Sequence, residues 1–110
     1  MKVNFKGFEC ELEFKQYYNN NTAIILMGIA DDYIGEVVGY ATTNTDHILP
    51  TNIVAIKDYS ENTGMAKALV EHGVIYPTPV NTVETGFIEV SFYLLTDEAM
   101  EELINQRKEE

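Results

Sequence analysis

The sequence predicts an α+β fold in a single compact domain over residues 1–110, a mostly antiparallel sheet of about five strands with two helices packed on it. Phe8–Phe14 alternates without exception between Phe8, Cys10, Leu12, Phe14 and Glu9, Glu11, Glu13, which is the period of a half-buried strand. Thr22–Ala30 is almost continuously apolar, as a central strand is. Ile53–Ile75 reads as strand, tight turn, helix and a short extended piece, and it is the clearest packed unit in the chain.

The opening MKVNFKG is a short strand closed by Gly7, and FECELEF follows with one apolar face and one carboxylate face. Cys10, on the apolar side, is expected in the core rather than as a nucleophile. Asn19–Asn21 is a turn, because asparagine tolerates left-handed backbone and bonds its own main chain. After the central strand, Asp31-Asp32 reads as a plain turn in preference to a cation site, since no other carboxylates stand near at ligand spacing. A strand is then expected over Tyr33–Asn44, with Gly35 and Gly39 marking a bulge.

Pro50 sets the entry to the Ile53–Ile75 unit, whose strand rests on β-branched Ile53, Val54 and Ile56. Asn62 or Thr63 is the expected N-cap of its helix, Met65, Leu69 and Val70 the inward face, Lys67 and Glu71 an outward pair, and Gly73 the stop. His72 suits the negative end of that helix dipole, and His47 falls in a loop. The KDYSEN turn before the helix supports two readings, free-donor capping by Asp58, Ser60 and Asn62 or a contact surface anchored by Tyr59. Pro77 and Pro79 make a crossing loop. From Gly86 a last strand sets Ile88, Val90, Phe92 and Leu94 against Phe87, Glu89, Ser91 and Tyr93. Thr96 caps a terminal helix with Asp97 and Glu98 in its first turn and Ala99, Met100, Leu103 and Ile104 inward, and the QRKEE end is expected to fray.

With 45% hydrophobic and 11% aromatic residues, the chain is globular in composition, yet 18 acidic against 7 basic residues leave it at −11. The acidity is spread along the chain: residues 1–55 carry 7 acids and 3 bases, residues 56–110 carry 11 and 4. Such a surface repels phosphate backbones and anionic lipids, so direct nucleic-acid or membrane contact is not expected; the acidity supports two readings, charge that only keeps the protein soluble or a surface for a basic protein partner. A lone Cys10, no signal-peptide pattern and no long uncharged apolar stretch suit a reducing cytoplasm. His47 and His72 stand apart, and no zinc spacing, phosphate-binding glycine loop or nucleophile elbow occurs, so neither enzyme activity nor a cofactor nor a metal is expected.

The segments IKDYSEN, Gly64-Met65, LVEHGVI and Thr85-Gly86-Phe87 resemble an uncharacterised family of small acidic proteins carried on bacterial plasmids, integrative elements and phages. The likeness lies mainly in the back half and brings no catalytic residues with it. It implies a mobile-element setting, in which small acidic accessory proteins often block host nucleases. The expectation is therefore a phage or plasmid protein that inhibits a host nucleic-acid-handling defence protein, a CRISPR effector or restriction enzyme, by mimicking DNA in a basic groove. Glu9, Glu11, Glu13, Asp31, Asp32, Asp58, Tyr59 and Glu61 are its candidate contact residues. The competing expectation is a non-enzymatic interaction or regulatory module, self-associating as a homodimer or scaffolding in plasmid or phage maintenance.

Overall fold

Turns chosen for their backbone signs set the first sheet of the computed structural model, which describes residues 1–109. Strands β1 (Lys2–Phe5) and β2 (Phe8–Gln16) are joined by Lys6 at φ 50° and Gly7 at φ 85°, a two-residue turn with both centres left-handed, whose twist matches that of the paired strands. That turn fixes Val3 opposite Cys10 and Lys2 opposite Glu11. Asn20, at φ 69°, closes the next hairpin by donating its N–H to the Tyr17 carbonyl, and β3 (Thr22–Gly28) returns along β2. Cys10, Leu12 and Phe14 accordingly face inward with Ile24 and Leu26. Phe8 departs from the alternation: it is exposed and meets the edge of Tyr33 with ring centroids 5.3 Å apart.

The strand expected over Tyr33–Asn44 is shorter, β4 (Val37–Tyr40). Its first residues instead fold back over Gly28, whose N–H donates to the Glu36 carbonyl while Gly35 N–H donates to the Gly28 carbonyl. A side chain at Gly28 would collide with the ring and carbonyl of Tyr33, so only glycine admits this turn. A bulge does occur: Gly39 pairs with Leu26 and Val37 with Met27, leaving Val38 extra.

The fold class is α+β, with seven strands in two antiparallel sheets rather than about five in one. The first sheet runs β1-β2-β3-β4, and the second runs β5 (Ile53–Ile56), β7 (Ile88–Leu94), β6 (Asn81–Thr85). Sequence reasoning missed β6, because NTVET is solvated along almost its whole length and carries no apolar stripe. Residues 41–43 splice the sheets: Lys57 N–H donates to the Ala41 carbonyl, Thr43 N–H to the Ala55 carbonyl, and Thr42 bridges Ile56. β5 is thus covered on both faces. Val54 and Ile56 enter the large core with Leu12, Leu26, Leu69 and Leu103, whereas Ala55 packs with Val90 and Phe92 in a small separate cluster. Ile88, expected on the same buried stripe, is exposed near the hairpin tip, and Tyr93 of the opposite face reaches the large core. Ile75 makes one bridge, to Leu95, in place of a strand.

Helix α1 (Met65–Glu71) starts on Gly64, at φ 97°, and not on Asn62 or Thr63. Asp58 supplies the cap across the Ser60–Asn62 turn, one carboxylate oxygen accepting from Gly64 N–H at 2.7 Å and Met65 N–H at 3.1 Å. Asn62 is instead buried and donates to the Tyr40 carbonyl. At the other end Gly73, at φ 74°, donates to the Val70 carbonyl and Val74 to the Leu69 carbonyl, the paired closure of a Schellman motif. Helix α2 (Asp97–Lys108) is capped by Thr96 as its sequence predicts, the hydroxyl accepting from Ala99 N–H and donating to the Gly73 carbonyl. Ala99 and Leu103 are buried, Ile104 is exposed, and the helix continues through Gln106–Lys108 where fraying was expected.

Asp58→Ala should lower stability by about 1 kcal/mol through loss of the cap, with Asp58→Asn recovering part of it. Urea unfolding midpoints of the two variants check this, and equal midpoints for wild type and Asp58→Ala would remove Asp58 from the capping role.

Candidate acidic interface

The outward residues of β2 begin the site. β1 pairs with β2 only as far as Lys2 opposite Glu11, and Met1 contributes one more bond, its carbonyl accepting from Leu12 N–H. Beyond that point the main-chain groups of β2 on this side need another partner. Gln106 of α2 provides it, donating Nε2–H to the Leu12 carbonyl at 2.9 Å and accepting Phe14 N–H on Oε1 at 2.8 Å. One side-chain amide thus continues the ladder where the strand stops.

This docking lays Glu102 and Glu109 beside Glu11 and Glu13 across a groove of about 540 Å³, which Lys15 and Asn105 also line. The Met1 ammonium sits between Glu11 Oε1 at 3.0 Å and Glu102 Oε1 at 3.1 Å. Burial by itself would lower the pKa of that ammonium, but the hydrogen bonds it donates to Glu11 and Glu102, with their charges, outweigh it and the net shift is upward. The ammonium in turn pulls the Glu102 carboxyl below its ordinary value, with Gln106 adding a further hydrogen bond. Glu13 and Glu109 line the same groove.

The other predicted residues lie elsewhere. Glu9 is exposed and borders a different hollow with Lys2, Asn4 and His72, and its N–H donates to the Tyr33 hydroxyl. Asp31 and Asp32 are exposed in the turn that carries Tyr33. Asp58 is occupied as a cap, while Glu61 pairs with Lys57 and its carbonyl accepts from Lys6 Nζ. The Lys57 hydrogen bond holds the Glu61 carboxyl low and the same contact raises Lys57. Tyr59 is half-buried with Lys57 Nζ 5.7 Å from its ring centroid, so this turn carries its own cations. The set therefore divides: Glu11 and Glu13 share one groove with Glu102 and Glu109, and Asp58, Tyr59 and Glu61 form a separate turn. Sequence reasoning missed Glu102 and Glu109. Only the acidic outer face of the terminal helix hinted at them, and nothing local says which strand that face will meet.

The cysteine and the two histidines each make contacts within the fold. Cys10 is fully buried and burial pushes its thiol up. His72 accepts Asn4 N–H on Nε2, which places its proton on Nδ1 toward the Ala68 carbonyl and ties α1 to β1. His47 lies edge-on to Phe92. Among the described residues no group of three or more His, Cys, Asp or Glu could hold a metal ion, and no helix is long and apolar enough to cross a membrane. Compared with known proteins, the chain matches no family model, no curated sequence and no solved structure.

The ammonium–carboxylate contact sets a pH window. Glu102 is depressed below 4.5, so its contribution to stability is complete above that pH and is lost as pH falls through the lowered value. The ammonium is raised above 8.0, so its contribution is complete below that pH and is lost as pH rises through the raised value. Glu102→Gln should therefore narrow the stability difference from wild type at both extremes and lower stability most between them. Thermal midpoints across the range test this, and a pH-independent difference would contradict it.

Proposed function

We propose that this protein acts by binding, and that it inhibits a host nucleic-acid-handling defence protein, a CRISPR effector or restriction enzyme, by seating its β2–α2 carboxylates in that protein's basic groove. The observation that carries the reading is the convergence of Glu11 and Glu13 with Glu102 and Glu109 along one groove. Alternate side chains of β2 recur every ~6.8 Å, and two steps along one DNA strand also span ~6.8 Å. Two carboxylate rows, one on a strand and one on a helix, suit a channel built to hold phosphates. With a formal charge of −11 the protein would be steered toward such a channel, with rapid and salt-sensitive association. The mobile-element setting implied by the resemblance agrees with this role.

A self-associating interaction module is the second reading, favoured by the exposure of Ile34, Val37 and Tyr40 along the β4 side of the first sheet. It ranks lower because the Val38 bulge and the Asn62 bond to the Tyr40 carbonyl blunt that edge.

Affinity capture from host lysate at about 0.05 M and about 0.5 M salt tests the first reading. Glu13→Gln and Glu109→Gln combined serve as the control, since neither of these side chains holds the fold together through a bond described above. A captured nuclease or restriction enzyme should be lost with salt and with the double change, and the purified protein should displace DNA from it. A partner indifferent to both, or one that still binds DNA in the complex, would overturn the proposal.

A further inference from the structure

The β6–β7 hairpin extends beyond what the fold needs. β6 makes its substantial contacts with β7 alone, and every residue from Glu84 to Glu89 is exposed. The tip is nevertheless well formed. Gly86 at φ 67° followed by Phe87 with a negative φ is the sign pattern of a type II′ hairpin turn, and the Thr82 and Ser91 hydroxyls meet at 2.9 Å farther down. On this shaped tip Phe87 is 109% exposed, so folding buries none of its ring.

Glu84 stands directly opposite Glu89, with no ion-pair partner for either among the described residues. Like charges facing each other across a ladder oppose the pairing that creates them. Neither the bare aromatic ring nor the facing carboxylates helps this chain fold, and Phe87 in the turn stands two residues along the chain from Glu89. An arginine side chain satisfies all three at once: its apolar stem and guanidinium plane cover an aromatic face, and its fork of donors bridges two carboxylates. A lysine would neutralise the pair but lacks the planar fork.

We propose that the Thr82–Ser91 hairpin is a docking arm, with Phe87 as anchor and Glu84 and Glu89 as a carboxylate clamp, for an arginine-bearing segment of the basic partner. The inference rests on the reading of a basic partner and adds a contact distinct from the β2–α2 groove.

The probe is a short synthetic peptide alternating Arg and Ser, compared with one alternating Lys and Ser, titrated into the isotopically labelled protein and followed by amide chemical shifts. The Arg/Ser peptide should perturb amides 82–91 and bind more tightly than Lys/Ser. Phe87→Ala should weaken it by about tenfold or more, the loss of one aromatic anchor, and reduce its advantage over Lys/Ser. Glu84→Gln should weaken both peptides while raising the thermal midpoint, because it removes the facing charge. Shifts confined to the surroundings of Glu13 and Gln106, or an unchanged affinity in Phe87→Ala, would overturn the arm and leave the groove standing. Shifts at neither place would overturn both. Concentration-dependent broadening of amides 82–91 without peptide would mark self-association of the arm and also overturn the arginine clamp.

Discussion

Most of this structure depends on the splice at Ala41–Thr43. There the chain leaves the first sheet and pairs with the end of β5, so two sheets share one large core. Thr42 makes this possible inside the protein. It is buried, and its hydroxyl oxygen accepts Ile24 N–H and bonds the Tyr17 hydroxyl, so the polar group carried into the core is satisfied. β5 is consequently buried on both faces, α1 follows it over the core, and Thr96 can join the start of α2 to the end of α1 through the Gly73 carbonyl. Loss of the Thr42 bonds would leave buried donors without partners at the point where both sheets meet.

A second constraint determines the surface. β1 is too short to cover β2, and the exposed main-chain groups are met by Gln106 and the Met1 carbonyl. That solution positions α2, and with it Glu102 and Glu109, alongside the carboxylates of β2. The acidic groove is therefore a by-product of completing a ladder. Elsewhere the negative charge is treated differently: Asp58 is taken up by a helix start and Glu61 by Lys57, which leaves little field for a partner there. The same net charge thus has different local meanings: at the KDYSEN turn a cap and a lysine take it up, whereas in the β2–α2 groove the Met1 ammonium engages Glu11 and Glu102 while Glu13 and Glu109 line the same groove.

What the sequence by itself determined is the local part. Alternation around Cys10, Leu12 and Phe14, the Thr96 cap, the Gly73 stop and the Asn19–Asn21 turn each depend on neighbours a few residues away, and all are found where the residue types place them. Wherever a distant segment competes for the same atoms, the tertiary structure decided. Asp58 caps α1 in place of Asn62, which Tyr40 engages; Tyr33 crosses Gly28 in place of extending a strand; and NTVET becomes β6 only because β7 offers its edge. The site divides the same way. The Glu9, Glu11, Glu13 row is written in a period of two, but its meeting with Glu102 and Glu109 depends on residues some ninety positions apart being brought together by the Gln106 bonds to Leu12 and Phe14, a long-range closure that no local pattern encodes.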